Sequence, residues 1–255
     1  MATVHLCTDM RSGVQVAVKV LRAEVSNVVA KERFFREIAY TSKLVHPSIP
    51  KVFESGVSED DMPYYAMDYV DGESLRDHLR RQPQLPIEDV VRLASAIAAP
   101  MTYAHAHGIV HRDIKPENIL VSGDRVYVLD FGLARAILDA AGARLTVTGI
   151  SVGTPAYMSP EQVRADRSVD YRSDIYSFGC IVYEMLVGAP PFKGATIPLL
   201  MSARFLKQPT PISAMRRDVP ARMQLAIQRA MARTPNSRWQ SADEFASELE
   251  ASKGG

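Results

Sequence analysis

Hydrophobic and polar residues alternate along the first part of the chain, and they change to a helical spacing further on. The alternation predicts four strands, at residues 3–8, 14–20, 51–55 and 63–69. One amphipathic helix is predicted between the second and third strands, at about residues 27–44, ending before the pair His46-Pro47. Beyond Gly72 the spacing predicts six helices, at about residues 74–80, 87–107, 173–187, 198–205, 221–232 and 241–251. We therefore expect an α+β fold, with a small antiparallel β-rich lobe followed by a larger α-rich lobe.

The composition excludes several classes of function. A chain of 255 residues can bury a sizeable core, and its 30 basic and 29 acidic residues give a net charge of +1, so no basic field favours nucleic acid. Cys7 and Cys180 are too few and too far apart for a disulfide scaffold or a zinc site. The chain does not open with a charged-then-apolar pattern, so we expect no secretory signal, and its most apolar stretch, residues 178–187, is too short to cross a bilayer. We expect a cytoplasmic protein, or the cytoplasmic domain of a longer, membrane-anchored one.

One short loop, residues 111–118, carries several parts of a phosphoryl-transfer site. It has the sequence His-Arg-Asp-Ile-Lys-Pro-Glu-Asn. Asp113 can accept a hydrogen bond from a hydroxyl and take its proton, Lys115 can steady a moving phosphate, and the amide oxygen of Asn118 can hold a metal. The loop resembles the catalytic loop H-R-D-x-K-x-x-N of the eukaryotic-type protein kinases. The lysine two residues after the aspartate points to the Ser/Thr branch of that family.

Two further motifs support the resemblance. Asp130-Phe131-Gly132 follows an apolar strand at residues 126–129, where the carboxylate can coordinate Mg²⁺ and the glycine allows a sharp turn. Lys19 ends the run Val-Ala-Val-Lys on a strand, and Glu37 lies on the following helix. Both charges could be ordinary solvated surface, but their order along the chain favours the kinase interpretation. The resemblance implies that Lys19 binds the α- and β-phosphates of ATP and that Glu37 pairs with Lys19.

Later landmarks of the resemblance imply structural roles. Residues 153–161 resemble the substrate-side loop and the Ala-Pro-Glu motif, with Thr154 expected to hydrogen-bond near Asp113 and Lys115. Asp174, at the start of a buried helix, is expected to hold the catalytic-loop backbone, and Arg238 is expected to pair with Glu161. His111 is expected to brace Asp130 and the loop. His105 and His107 raise the alternative of a metal site, but residues two apart lie on different faces of a helix, so a helix end is the better interpretation.

The resemblance covers nearly the whole chain, is closest to the bacterial Ser/Thr kinases, and implies a bilobal kinase domain. The small lobe would comprise residues 1–69 and the large lobe residues 70–255, with ATP in the cleft between them. Mg²⁺, for which Mn²⁺ can substitute, would be held by Asn118 and Asp130. The substrates would be protein Ser and Thr hydroxyls, including the chain's own in a transient dimer, and no nucleic acid or membrane is expected as a partner. The residues expected around ATP are Val4, Ala17, Lys19, Met67, Asp68, Val70 and Leu120.

The chain departs from the family pattern at its start. The glycine-rich loop G-x-G-x-x-G-x-V should precede Lys19, yet the chain begins Met1-Ala2-Thr3-Val4, which resembles only the end of that loop. Truncation is the favoured interpretation, and a naturally shortened kinase or a non-catalytic pseudokinase that serves as a binding module is the alternative.

Backbone N–H groups of the glycine-rich loop cradle the β- and γ-phosphates. We therefore expect the chain as given to bind Mg·ATP weakly and to turn over poorly. Calorimetric titration should show tighter binding to a version extended by a Gly-rich strand. Equal affinity and equal rate in the two versions would show that the loop is dispensable here.

The segment between Asp130 and Glu161 contains Thr146, Thr148 and Ser151 among small and polar residues. The spacing of Thr146 and Thr148 before Thr154 resembles the paired autophosphorylated threonines of bacterial Ser/Thr kinases. In that family the arginine before the catalytic aspartate, here Arg112, forms a cationic pocket with a second arginine, here Arg135. A phosphate could order the segment through such a pocket. The alternative is that both are ordinary loop threonines.

Overall fold

The first four strands form one antiparallel sheet in the computed structural model, which describes residues 2–21, 28–132, 155–166 and 168–253. The spatial order of the strands is β1-β2-β4-β3. Helix α1 packs against this sheet, and the small core between them includes Phe34, Ile38 and Met67. The elements are β1 (Ala2–Thr8), β2 (Gln15–Leu21), α1 (Val28–Thr41), β3 (Val52–Val57) and β4 (Pro63–Asp68).

The register of the sheet brings particular side chains together. Lys19 on β2 lies directly opposite Tyr65 on β4, and Ala17 lies opposite Met67. Directly opposite residues of an antiparallel pair project to the same face. Lys19 and Tyr65 therefore project from neighbouring strands to one face of the sheet.

A second, smaller antiparallel sheet supports the loops that follow helix α3. It consists of β5 (Glu73–Ser74), β6 (Ile119–Ser122) and β7 (Arg125–Val128), in that spatial order. Residues 107–118 connect α3 to β6, and Asp130 follows β7 by two residues. The short hairpin of β6 and β7 therefore brings the ends of both segments close together.

The rest of the chain is mainly helical around a second, larger core. Its helices are α2 (Leu75–Arg81), α3 (Ile87–Ala106), α4 (Pro160–Val163), α5 (Arg172–Val187), α6 (Ile197–Leu206), α7 (Ile212–Met215), α8 (Ala221–Ala230) and α9 (Ala242–Ala251). Single 3₁₀ turns occur at Pro116–Asn118, Pro155–Tyr157 and Pro235–Ser237.

Helix α5 is the centre of this larger core, because every residue from Ser173 to Val187 is buried. It ends at Gly188, whose φ of +81° is the left-handed conformation that glycine adopts most easily, and the Gly188 N–H closes the last turn on the Glu184 carbonyl at 2.7 Å. Two acidic residues within so apolar a helix, Asp174 and Glu184, need polar partners to be buried. Both have partners at the candidate site described below.

The predicted α+β class and the division into a β-rich and an α-rich part are confirmed. The helix predicted at residues 27–44 instead ends at Thr41, because the chain closes a tighter turn there, with the Leu44 N–H donating to the Thr41 carbonyl at 3.0 Å. The two-residue strand β5 and the four-residue helices α4 and α7 are too short to show a periodicity. Within the described residues, no helix is both long enough and apolar enough to cross a membrane.

Candidate active site

The loop after α3 is held in place by a buried carboxylate on α5. The backbone N–H groups of His111 and Arg112 donate to the two oxygens of Asp174 at 2.8 and 2.7 Å, and His105 Nε2 lies 2.8 Å from one of them. Burial opposes ionisation of Asp174, but the contacts with His105 and the loop outweigh it and hold the pKa of Asp174 below its usual value. Arg112 has a φ of +67°, which a long side chain adopts only when its surroundings enforce it. Asp174 provides that enforcement.

Asp113, Lys115 and Asn118 converge on one carboxylate. Lys115 Nζ lies 2.5 Å from Asp113 Oδ2, and Asn118 Nδ2 donates to Asp113 Oδ2 at 3.2 Å and to the Asp113 carbonyl at 2.8 Å. Within the described part of the chain, no group donates to Asp113 Oδ1 or to the amide oxygen of Asn118. The site therefore offers one carboxylate oxygen to a hydroxyl and one amide oxygen to a cation, with an ammonium beside them.

His111 connects this loop to the segment after β7. Its Nδ1 accepts a hydrogen bond from the Asp113 N–H at 3.2 Å, so Nε2 carries the proton and donates to the Leu129 carbonyl at 2.6 Å. Its ring also packs against Phe131 at 4.8 Å. His111 is fully buried, and it positions the backbone on both sides of the site.

The carboxylate of Asp130 has two donors from the first sheet. Lys19 Nζ contacts Oδ2, and the Tyr65 hydroxyl donates to Oδ1 at 2.6 Å. Burial opposes ionisation of Asp130, but the charge of Lys19 and these hydrogen bonds outweigh it and hold its pKa below the usual value. Burial and the neighbouring Asp130 raise the pKa of Tyr65 well above its usual value, so Tyr65 is a neutral donor. The sequence analysis did not place Tyr65 at the site. Alternation along the strand puts Tyr65 on the same face as Met67, and the pairing of that strand with the one that carries Lys19 could have identified it.

The structure pairs Lys19 with Asp130 instead of the expected Glu37. Asp130 is the partly buried carboxylate that the Lys19 ammonium neutralises, whereas Glu37 lies on α1 beside Gly132. Gly132 has a φ of +73°, and a Cβ there would come within 2.9 Å of the Thr41 methyl group. The glycine therefore lets the segment after Asp130 pass close to α1.

Two side chains that the sequence interpretation missed support the catalytic loop from outside. The Gln162 amide donates to the Arg112 carbonyl at 2.7 Å, while its oxygen accepts from the Ser159 N–H at 2.9 Å in a capping box at the start of α4. A Ser-x-x-Gln pattern signals such a box in a sequence. Arg76 on α2 bridges Glu117 and Glu184 at 2.8 Å each, and no local pattern could reveal that arrangement.

Arg238 and Glu161 form a buried ion pair. Both residues come later in the sequence than the Asp113 loop and Asp130. The guanidinium donates to both oxygens of Glu161 at 2.6 and 2.8 Å, and the Ser173 hydroxyl donates to Oε1 at 2.6 Å. Burial opposes ionisation of Glu161, but the hydrogen bonds and charge of Arg238 outweigh it and keep the pKa of Glu161 below its usual value. This cluster joins α4, α5 and the turn before α9.

A family model described as the protein kinase domain matches residues 1–248. The chain belongs to this family.

Several bacterial relatives and a solved structure agree with this assignment. The Ser/Thr-protein kinase PknB of Mycobacterium tuberculosis is 41% identical over 255 residues, and that of Mycobacterium leprae is 39% identical over 254 residues. Each alignment covers 98% of this chain, which spans about 40% of the length of these curated relatives. The crystal structure of a mutant Mycobacterium tuberculosis PknI kinase domain has 30% sequence identity and a TM-score of 0.77, covering 98% of this chain and 90% of that one.

The residues expected around the nucleotide of a protein kinase lie on β1, β2, β4 and β6, except Val70, which follows the end of β4. Ala17 and Met67 are buried and opposite one another, Val4 on β1 is 56% exposed, and Leu120 on β6 is partly buried. Asp68 ends β4, where its side chain accepts a hydrogen bond from the Lys51 N–H at 2.8 Å. The Val70 backbone makes no hydrogen bond within the described residues.

Some expected site residues lie outside the described residues. These are Arg135, Thr146, Thr148, Ser151 and Thr154. His105 and His107 do not form a metal site: His105 contacts Asp174, and His107 Nδ1 donates to the Tyr103 carbonyl at 2.8 Å. Among the described residues, no three His, Cys, Asp or Glu side chains are grouped so that they could hold a metal ion.

Proposed function

We propose that this chain is a protein Ser/Thr kinase domain that transfers the γ-phosphoryl group of ATP to Ser and Thr hydroxyls of proteins. The observation that carries the proposal is the arrangement of Asp113, Lys115 and Asn118 on a loop anchored by the buried Asp174. The names of the relatives support the Ser/Thr class in bacteria, and a role in bacterial signal transduction is part of this proposal. The small lobe would comprise residues 1–69 and the large lobe residues 70–255.

Asn118 and Asp130 fit a magnesium site by their chemistry. Mg²⁺ prefers oxygen ligands and usually binds through one or two carboxylates together with substrate phosphates and water. The amide oxygen of Asn118 accepts no hydrogen bond within the described residues, and the Asp130 carboxylate is kept ionised. Bound there, Mg²⁺, or Mn²⁺ in its place, would neutralise charge on the phosphates.

The remaining residues would act by positioning and by charge. Asp113 would orient the substrate hydroxyl and accept its proton, and Lys115 would balance the charge of the transferring phosphoryl group. Lys19 would leave Asp130 to hold the α- and β-phosphates, with Glu37 as its new partner. Val4, Ala17, Met67 and Leu120 would surround the adenine, and the backbone of Asp68 and Val70 would bind its edge. Such a reaction belongs in the cytoplasm, where ATP is available.

Incubation with γ-labelled ATP, Mg²⁺ and a basic acceptor protein, followed by acid hydrolysis, tests this proposal. We expect label in phosphoserine and phosphothreonine, with the transfer dependent on Mg²⁺. The chain extended by a Gly-rich strand should be assayed alongside the chain as given. Absence of transfer in both, with nucleotide still bound, would favour the pseudokinase alternative, and label in phosphotyrosine would contradict the Ser/Thr assignment.

We also propose that Thr146 and Thr148 are autophosphorylated between two copies of the chain, with Arg112 and Arg135 forming the phosphate pocket. A phosphate brings about −1.5 to −2 charges and strong acceptor oxygens, which can order a loop through arginine contacts. We expect mass spectrometry of active protein to find phosphate at one or both threonines.

The double Thr146→Ala, Thr148→Ala variant should be slower than the parent, whereas the exposed Thr210→Ala control should not be. The switch would be refuted by unphosphorylated threonines in active protein, or by a double variant that matches the parental rate.

A further inference from the structure

Tyr65 is a buried side chain whose polar group points at the candidate metal ligand. It lies near the middle of β4, it is 1% exposed, and its hydroxyl donates to Asp130 Oδ1 at 2.6 Å. Lys19, directly opposite Tyr65 on β2, contacts the other carboxylate oxygen. The two oxygens of Asp130 therefore have different donors, supplied by neighbouring strands of one sheet.

The ring of Tyr65 is fixed independently of its hydroxyl. It packs against Phe34 of α1, with ring centroids 6.2 Å apart, and both residues belong to the core under the first sheet. Burying a phenol in such a core raises the free energy of the folded state unless the hydroxyl has a hydrogen-bond acceptor. A hydroxyl that donates to a carboxylate makes one of the stronger hydrogen bonds. Because the ring is held by packing between the sheet and α1, the hydroxyl can hold the Asp130 carboxylate in a fixed position.

The orientation of the Asp130 carboxylate needs such a donor. Rotation about the last torsion of an aspartate is broad, so the side chain itself does not decide where each oxygen lies. Ligating carboxylates are in turn held by hydrogen bonds from neighbouring groups, and those groups tune metal affinity. The neutral Tyr65 hydroxyl holds Oδ1. A metal ion could therefore replace the Lys19 ammonium at Oδ2, because that ammonium lies at the end of a flexible side chain.

We propose that Tyr65 is a positioning residue for the metal ligand Asp130, with its hydroxyl holding Oδ1 so that Oδ2 is available to Mg²⁺ when Lys19 moves to the nucleotide. This inference rests on the proposed function. It predicts that the hydroxyl affects the Mg²⁺ requirement of nucleotide binding and has little effect on metal-free binding.

The test is Tyr65→Phe, which removes the donor and keeps the ring against Phe34. Calorimetric titration of the full chain with ADP, repeated over a series of Mg²⁺ concentrations, should show that the variant needs about 10–100-fold more Mg²⁺ for the same ADP affinity. ADP affinity without metal should be unchanged. Tyr64→Phe is the matched control, because the neighbouring hydroxyl lies on the opposite face of β4 and its one hydrogen bond among the described residues is a 3.4 Å contact with Glu54.

A second comparison guards against a general weakening of the cleft. In an Asp130→Asn background, Tyr65→Phe should produce no further change in the Mg²⁺ requirement, because the group that it positions is already altered. Urea unfolding of each variant confirms that the chain remains folded.

The inference is overturned by an unchanged Mg²⁺ requirement, by a lower one, or by an equal loss of ADP affinity with and without metal. A parent chain whose ADP binding does not respond to Mg²⁺ would instead contradict the proposed metal site itself. The two failures are therefore distinguishable.

Discussion

Replacing Asp113 with asparagine is expected to lower the rate of phosphoryl transfer by roughly 10²–10⁴-fold, the usual contribution of general-base assistance. The amide cannot accept the hydroxyl proton, and it presents a neutral group to Lys115 and Asn118, both of which donate to the present carboxylate. Fold and nucleotide binding should change little, because Asp174 and not Asp113 holds the loop backbone. The measurement is label transfer from γ-labelled ATP by the chain extended with a Gly-rich strand.

Asp124→Asn is the matched control, since Asp124 is exposed in the turn between β6 and β7. Lys19→Met should also abolish most transfer, because it removes both the phosphate ligand and the present counter-charge of Asp130. Near-parental turnover in Asp113→Asn or Lys19→Met would refute the assigned roles, and an equal loss in Asp124→Asn would point to a general effect on the fold.

Arg238→Met is expected to lower the free energy of unfolding by about 3–5 kcal/mol, the usual effect of removing one partner of a buried ion pair. Among its side-chain partners in the described part of the chain, Glu161 would keep only the Ser173 hydroxyl. Arg238 also donates to the Ala232 and Arg172 carbonyls, which would lose a donor. Urea unfolding measures the change. A loss as small as that of a surface ion pair would contradict the structural role.

The control is Arg222→Met, which removes an exposed bidentate pair with Glu248 and should have a much smaller effect. The folded-state pKa of Glu161 is depressed, so its contribution is present above the unfolded-state pKa of a glutamate, about 4.3, and is lost as the pH falls through the lower folded-state value. This acid-dependent part of the stability should disappear in Arg238→Met.

The parts of the site that could be predicted from the sequence are those whose members lie close together in the chain. Asp113, Lys115 and Asn118 belong to one loop, and the hairpin that joins this loop to Asp130 is only a few residues long. Likewise, the ends of the longer strands and helices, which repeat their hydrophobic pattern several times, can be predicted to within a few residues. Strand β5 and helix α7 are too short to show such a pattern.

Long-range partners were harder to predict, because several groups of the right charge compete for each one. Lys19 could pair with Glu37 or with Asp130, and the structure shows the partly buried carboxylate of Asp130 as its partner. Arg76 belongs to the site only through tertiary packing, and no pattern in the sequence around it indicates that role. Strand alternation could place Tyr65 on the same face as Met67, but nothing in the sequence indicates its contact with Asp130. The contacts of Asp174 were anticipated only through the family resemblance.

The proposed activity moves the terminal phosphoryl group of ATP to a protein hydroxyl. Parallel reactions with ATP labelled at the γ- or the α-phosphorus test it most directly, using the extended chain, Mg²⁺ and an acceptor protein. We expect protein-bound label from γ-labelled ATP alone, and we expect Asp113→Asn to abolish most of it. Protein-bound label from α-labelled ATP, or no label from either, would refute the transfer of the γ-phosphoryl group.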